Sequence, residues 1–185
     1  MSIELIVIVL AAVVAAAAAA AGLPTARRRR LRRRFGPEYE RALGEYASRR
    51  EAERELAARE RRFRDLDIRD LPAETKTKYE AAWAALQERF VESPTDAVRE
   101  ADALITRVMH DRGYPTEERT VRMDILSVVY SRHLDRYRQA HEIERLGAAG
   151  KASTEDLRQA LLHHRTLFDD LLGRAPDATS PSRGS

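Results

Sequence analysis

The chain has 185 residues, 6% of them aromatic and none cysteine, and 34% charged with 33 Lys+Arg against 30 Asp+Glu. At about 100 to 200 residues per domain this is one domain with appendages, which excludes a large two-lobed enzyme, and the missing cysteines exclude disulfides, thiolate metal sites and cysteine nucleophiles. The net charge of +3 is an average over unlike regions: seven arginines against Glu4 give residues 1–34 a charge of +6 and leave −3 for the rest, so the folded part is not a basic nucleic-acid-binding domain.

Residues 1–4 read as a short extracytoplasmic start. Leu5 to Leu23 is a run of nineteen residues without a charge. As a helix it covers roughly 28 Å, close to the hydrocarbon thickness of a bilayer, which predicts a transmembrane helix over 5–23. Its Leu, Ile and Val residues favour insertion, while the alanines are nearly neutral. Ala11, Ala15, Ala18 and Gly22 make a small-residue face on which two copies can pair, so a homo-oligomer stays open, although seven consecutive alanines produce such spacing by default.

Residues 24–36 form a basic juxtamembrane segment holding Arg27, Arg28, Arg29, Arg30, Arg32, Arg33 and Arg34. A dense arginine cluster is retained on the cytoplasmic side, which puts the N-terminus outside, the bulk inside, and these seven side chains at the lipid headgroups. The rival reading is a cleaved secretory signal, but such signals place their cations before the apolar run.

Gly36-Pro37 starts a new helix. With Glu45/Arg49, Glu55/Arg59 and Glu60/Arg64 at supportive spacing, residues 37–70 read as a long charged stalk helix, its helical part reaching about Arg64. Residues 71–173 read as a small antiparallel helical bundle. Its first helix, about 73–91, carries the stripe Tyr79, Ala82, Trp83, Leu86 and Phe90. Ser93-Pro94 opens the next, with Val98, Ala101, Leu104, Ile105, Val108 and Met109, and Gly113 with Pro115 stops it. The pattern resumes over 117–146 through Val121, Ile125, Leu126, Val129, His133, Leu134, Tyr137 and Ala140, with a break near Ser127 left open. Ser153-Thr-Glu-Asp156 resembles a capping box, after which Leu157, Ala160, Leu161, His164, Phe168 and Leu171 make the final stripe. The tail, 174–185, has a disordered composition.

No catalytic signature is found. His141-Glu142 lacks the second histidine of a zinc helix, and phosphate-loop and nucleophile-elbow motifs are missing. His133, Tyr137 and His141 fall at i, i+4 and i+8 and share a face that His163 or His164 can join, but ordinary interface histidines account for that spacing, so we expect no metal, no cofactor and no catalytic residue. The segments 136–143 and 156–168 combine Arg, Tyr, His and Phe as interfaces do, which makes Arg136, Tyr137, His141, Arg158 and His163 partner-binding candidates; mutual packing of the two helices is the plainer reading.

Several blocks, Arg34-Phe-Gly-Pro-Glu-Tyr39, Ser48-Arg-Arg-Glu-Ala-Glu-Arg-Glu-Leu56, Arg89-Phe-Val91, Arg112-Gly-Tyr-Pro115, Tyr137-Arg-Gln-Ala-His-Glu-Ile143 and Asp156-Leu-Arg-Gln-Ala160, resemble those of an uncharacterised family of single-span, membrane-anchored helical proteins of actinobacteria. The resemblance covers roughly residues 31–172. It implies a bacterial source and this order of parts, and no activity. The chain departs from that family at Ser127-Val-Val-Tyr-Ser131, where a more polar or Pro-containing stretch is expected.

The expected protein is therefore all-α: a transmembrane helix, a charged stalk and a cytoplasmic bundle. It is a single-pass inner-membrane protein without enzymatic activity that binds membrane lipids and presents its bundle to a protein partner. The alternatives are a lipid-binding or envelope-stress factor acting through the arginines, and a secreted helical protein.

Overall fold

The computed structural model describes residue 10 and residues 25–173, and all regular structure there is helical. Residues 25–35 are helical and lead into α1 (Pro37–Glu45), α2 (Arg49–Arg64), α3 (Ala73–Arg89), α4 (Pro94–Asp111), α5 (Arg119–Val129), α6 (Ser131–Ala148) and α7 (Thr154–Gly173). Among the described residues no helix is long and apolar enough to cross a membrane. The anticipated 5–23 span lies outside them except for Leu10, as do residues 1–4 and the tail 174–185.

The chain divides into two compact units, Met1–Ala57 and Ala58–Ser185. The boundary thus falls inside α2 instead of at residue 71, where the sequence reading separates stalk from bundle. The first unit turns at Gly36, whose φ of 52° suits glycine, and Pro37 then takes the first-turn position that needs no amide hydrogen. Leu31, Phe35, Tyr39, Ala42, Ala52 and Leu56 are buried, and the Tyr39 hydroxyl donates to Glu53 Oε1 at 2.8 Å.

The single stalk helix expected over 37–70 is corrected by this geometry. The chain leaves the helical path at Tyr46, and the Glu51 amide donates to Ser48 Oγ at 3.2 Å, which starts α2 afresh. Beyond Arg64 the chain runs without regular structure to Pro72. Leu56 and Phe63 are both buried.

In the second unit α7 packs against α4 and α6, and α4 also against α3 and α6, with α5 on α6. The stripes read from the sequence on α4 and α7 are buried throughout. That of α3 is buried only at Trp83 and Leu86: Ala82 is exposed, and Tyr79 donates outward to Asp111 Oδ2 at 2.7 Å. Trp83 meets Phe168 at 4.7 Å between ring centres, and the Arg165 guanidinium lies 5.3 Å from the Trp83 ring.

Helix directions depart from a purely antiparallel bundle. Arg112, at the end of α4, is buried and donates from Nη1 to the Leu171 carbonyl near the end of α7. At the opposite end, Thr95 and Leu157 both lie beside Gly147. Hence α4 and α7 run parallel, with α6 antiparallel to both. Short loops impose antiparallel neighbours, but two helices separate α4 from α7 in the chain. The region 117–146 is two helices, and the break falls at Tyr130 (φ −120°, ψ 36°), three residues past Ser127.

Candidate functional site

Three helices of the second unit bring titratable side chains to one buried place. Asp102 on α4 stands at the edge of the apolar stripe, four residues after Val98 and three before Ile105, so it points toward the core. Tyr137, His141 and Glu144 succeed each other at i, i+4 and i+7 on α6. His164 lies within the buried stripe of α7 and is wholly inaccessible to solvent.

Tyr137 donates from its hydroxyl to Asp102 Oδ1 at 2.6 Å. His141 stands between two carboxylates: Nδ1 is 3.1 Å from Glu144 Oε2, and Nε2 is 3.3 Å from Asp102 Oδ1. The first contact is a hydrogen bond, whereas the second is an ion-pair approach off the line of a well-aligned one. Tyr137 meets the His141 ring edge-on at 4.4 Å and the His164 ring at 5.6 Å, and the two imidazoles lie 5.8 Å apart. Neither ring nitrogen of His164 has a hydrogen-bond partner.

The electrostatics follow from this packing. Burial alone raises the pKa of Asp102, but the close approach and charge of His141, with the hydrogen bond from the Tyr137 hydroxyl, outweigh it and hold the carboxyl well below its usual range. Burial alone lowers that of His141, yet the carboxyl groups of Asp102 and Glu144 beside its two nitrogens outweigh burial and raise it on balance. His164 goes the other way, pushed down to about 4 chiefly by burial. Burial, then the Asp102 charge, drives Tyr137 well above the ordinary phenol value. The cluster thus sets two carboxyl groups about the His141 ring, beside a second imidazole, His164, that has no hydrogen-bond partner.

The cluster opens onto a surface cleft of about 370 Å³ between α5 and α6, lined by Arg119 and Met123 on one side and by Arg138, His141, Glu142, Glu144, Arg145 and Ala148 on the other. Arg145 is held by Glu142, with Nε 3.0 Å from Oε2.

The partner-binding candidates do not form one surface. Tyr137 and His141 are buried, because their spacing from Leu134 puts them on the inner face of α6. Arg136 and Arg158 are exposed, and Arg158 donates from Nε to Glu155 Oε2 at 2.7 Å. His163 is half-buried beside Arg136 and has its pKa lowered by burial, then by that guanidinium. In the arginine run, Arg27, Arg29, Arg30, Arg32 and Arg33 are exposed on the helix over 25–35, while Arg28 and Arg34 are half-buried; Arg32 pairs with Glu40 at 2.9 Å. Sequence reasoning missed Asp102 and Glu144, and the readable signal was an acid inside the spacing of the α4 stripe.

Comparison with protein-family models, with curated proteins and with solved structures returned no match.

Proposed function

We propose that the chain is a single-pass membrane protein of the kind its sequence blocks resemble, with the apolar 5–23 run as anchor and the helical bundle as a cytoplasmic docking module. In this reading the bundle receives a segment of a partner protein in the α5/α6 cleft. The observation that carries it is the cleft's lining: three guanidiniums, of Arg119, Arg138 and Arg145, against two carboxylates, of Glu142 and Glu144, with Met123 as an adaptable apolar contact. Such a lining favours a segment with one apolar anchor and hydrogen-bond acceptors within reach of the guanidiniums. Charge placement supports the orientation, since the arginines follow the apolar run directly.

A photoreactive residue at Ala148, which lines the cleft, tests this in intact membranes. A discrete crosslinked species is expected there and not from the same probe at exposed Val91, and Arg138→Glu should remove it. Equal crosslinking at both positions overturns the cleft as docking site. Labelling of a cysteine placed near the carboxyl end by an impermeant reagent on whole cells overturns the orientation.

The exposed arginines over 25–35 favour a second reading, in which anionic lipid is itself the target. Under it, replacing the seven arginines abolishes function even behind a substitute anchor, whereas the docking reading tolerates that exchange.

A further inference from the structure

We propose that Asp102, His141, Glu144 and His164 form a binding site for a divalent transition cation of the zinc class, in addition to the docking role. One ligand atom from each of Asp102, His141 and Glu144 lies within 4.8 Å of the others. With metal–ligand lengths of about 2.0 to 2.2 Å, neighbouring ligand atoms on a tetrahedral ion stand roughly 3.3 Å apart. The 3.3 Å between His141 Nε2 and Asp102 Oδ1 already matches such an edge.

His164 supplies the independent observation. It is fully buried against this cluster with both ring nitrogens unpartnered, and buried polar groups normally find partners. Two imidazoles on one tetrahedral ion hold their ring centres roughly 5.2 Å apart, given a metal–nitrogen length of about 2.0 Å. The observed 5.8 Å is wider by about 0.6 Å, so His164 joins the other three ligands by closing on the ion. An ion between the rings would satisfy one nitrogen of His164.

Mixed imidazole and carboxylate ligands suit zinc, cobalt or nickel better than magnesium or calcium, which select oxygen. The Tyr137 hydroxyl on Asp102 orients that carboxylate from outside the ligand shell, as partners of metal-bound acids do. His141 and Glu144 line the cleft, which gives the ion an entry path. Arg119 on the same wall is a competing cation.

The full chain, purified in detergent and stripped with chelator, is dialysed against zinc chloride and assayed for bound zinc, and the visible spectrum of a cobalt-loaded sample reports the coordination geometry. One zinc per chain and a tetrahedral cobalt spectrum are expected. His141→Gln and Asp102→Asn should each weaken binding by at least about tenfold. His164→Phe should do the same while keeping the helical circular dichroism and thermal midpoint of the parent, since it removes only unpartnered nitrogens. His110→Ala, at an exposed position outside the cluster, should bind as the parent does. Absence of stoichiometric zinc in the parent overturns the proposal. So does undiminished binding by His164→Phe, a result that stands even where the Asp102 variant fails to fold.

Discussion

Replacing Gly113 by alanine tests how the end of α4 is built. Gly113 has a φ of 92°, and a Cβ placed on it falls 2.4 Å from the Asp67 carbonyl oxygen, which must retreat by about 1 Å to reach ordinary contact. Alanine in left-handed backbone costs about 1 to 2 kcal/mol. The retreat also loosens the Arg69 amide to Arg112 carbonyl bond, now 3.0 Å, for about 1 kcal/mol more. The sum, about 2 to 3 kcal/mol, corresponds to a fall of roughly 10 °C in the midpoint of the helical circular dichroism signal for a unit of this size. Gly150→Ala provides the comparison, because Gly150 has a φ of 68° with open space around its would-be Cβ. It bears the backbone cost alone, about 1 to 2 kcal/mol. If the two variants melt together, the crowding of Asp67 against Gly113 is not a constraint on the fold and the reasoning fails.

Trp83→Ala should cost about 3 to 5 kcal/mol in urea unfolding, through the cavity left against Phe168. Trp83→Phe should cost far less, since the indole N–H has no hydrogen-bond partner to lose. Tyr137→Phe removes the 2.6 Å bond to Asp102 and should destabilise by about 2 kcal/mol, read from the urea midpoint at pH 7. Ser153→Ala uncaps α7, where Ser153 Oγ accepts from the Asp156 amide at 3.1 Å, and should cost about 1 kcal/mol in the same assay. The side-chain and backbone hydrogen bonds of Ser153 hold the Asp156 carboxyl below 3.8, so that interaction is present above the ordinary carboxylate pKa and is lost as pH falls through the depressed one. A carboxyl chemical-shift titration should show the depression, and Ser153→Ala should return the value toward 3.8.

The helices α4 and α7 were legible because apolar residues recur there with a 3.6-residue period and their ends carry Ser-Pro and Ser-x-x-Asp signals. The reciprocal bond from the Ser153 amide to Asp156 Oδ2, at 2.9 Å, closes the second signal as a capping box. The break before α2 was equally written, in Ser48-Arg-Arg-Glu51, but the abundance of i,i+4 charge pairs made one long helix the easier reading. The α3 stripe misled because alanine scores as apolar while contributing little when exposed, as at Ala82. Direction is a matter of tertiary contact, so nothing in the loops announced that α4 and α7 run parallel. The polar cluster was half visible: His164 was placed in the inward stripe of α7 and His141 on a face it can join, though as a partner-binding candidate, and the carboxylate neighbour Asp102 comes from a helix some forty residues before His141, so only packing brings it near.

The corner at Tyr130 has a bearing on how this chain tolerates change in length. Unbroken, residues 119–148 would make a rod of roughly 45 Å, well beyond the roughly 27 to 30 Å of α4 and α7. The elbow is tied on both sides, by the Tyr130 amide on the Leu126 carbonyl and by the His133 amide on the Tyr130 carbonyl, each at 2.8 Å. A residue inserted ahead of it is absorbed as extra length in α5 and leaves the heading of α6 alone. One inserted just after it turns everything downstream by about 100° about the helix axis, swinging His141 and Glu144 out of the interior together.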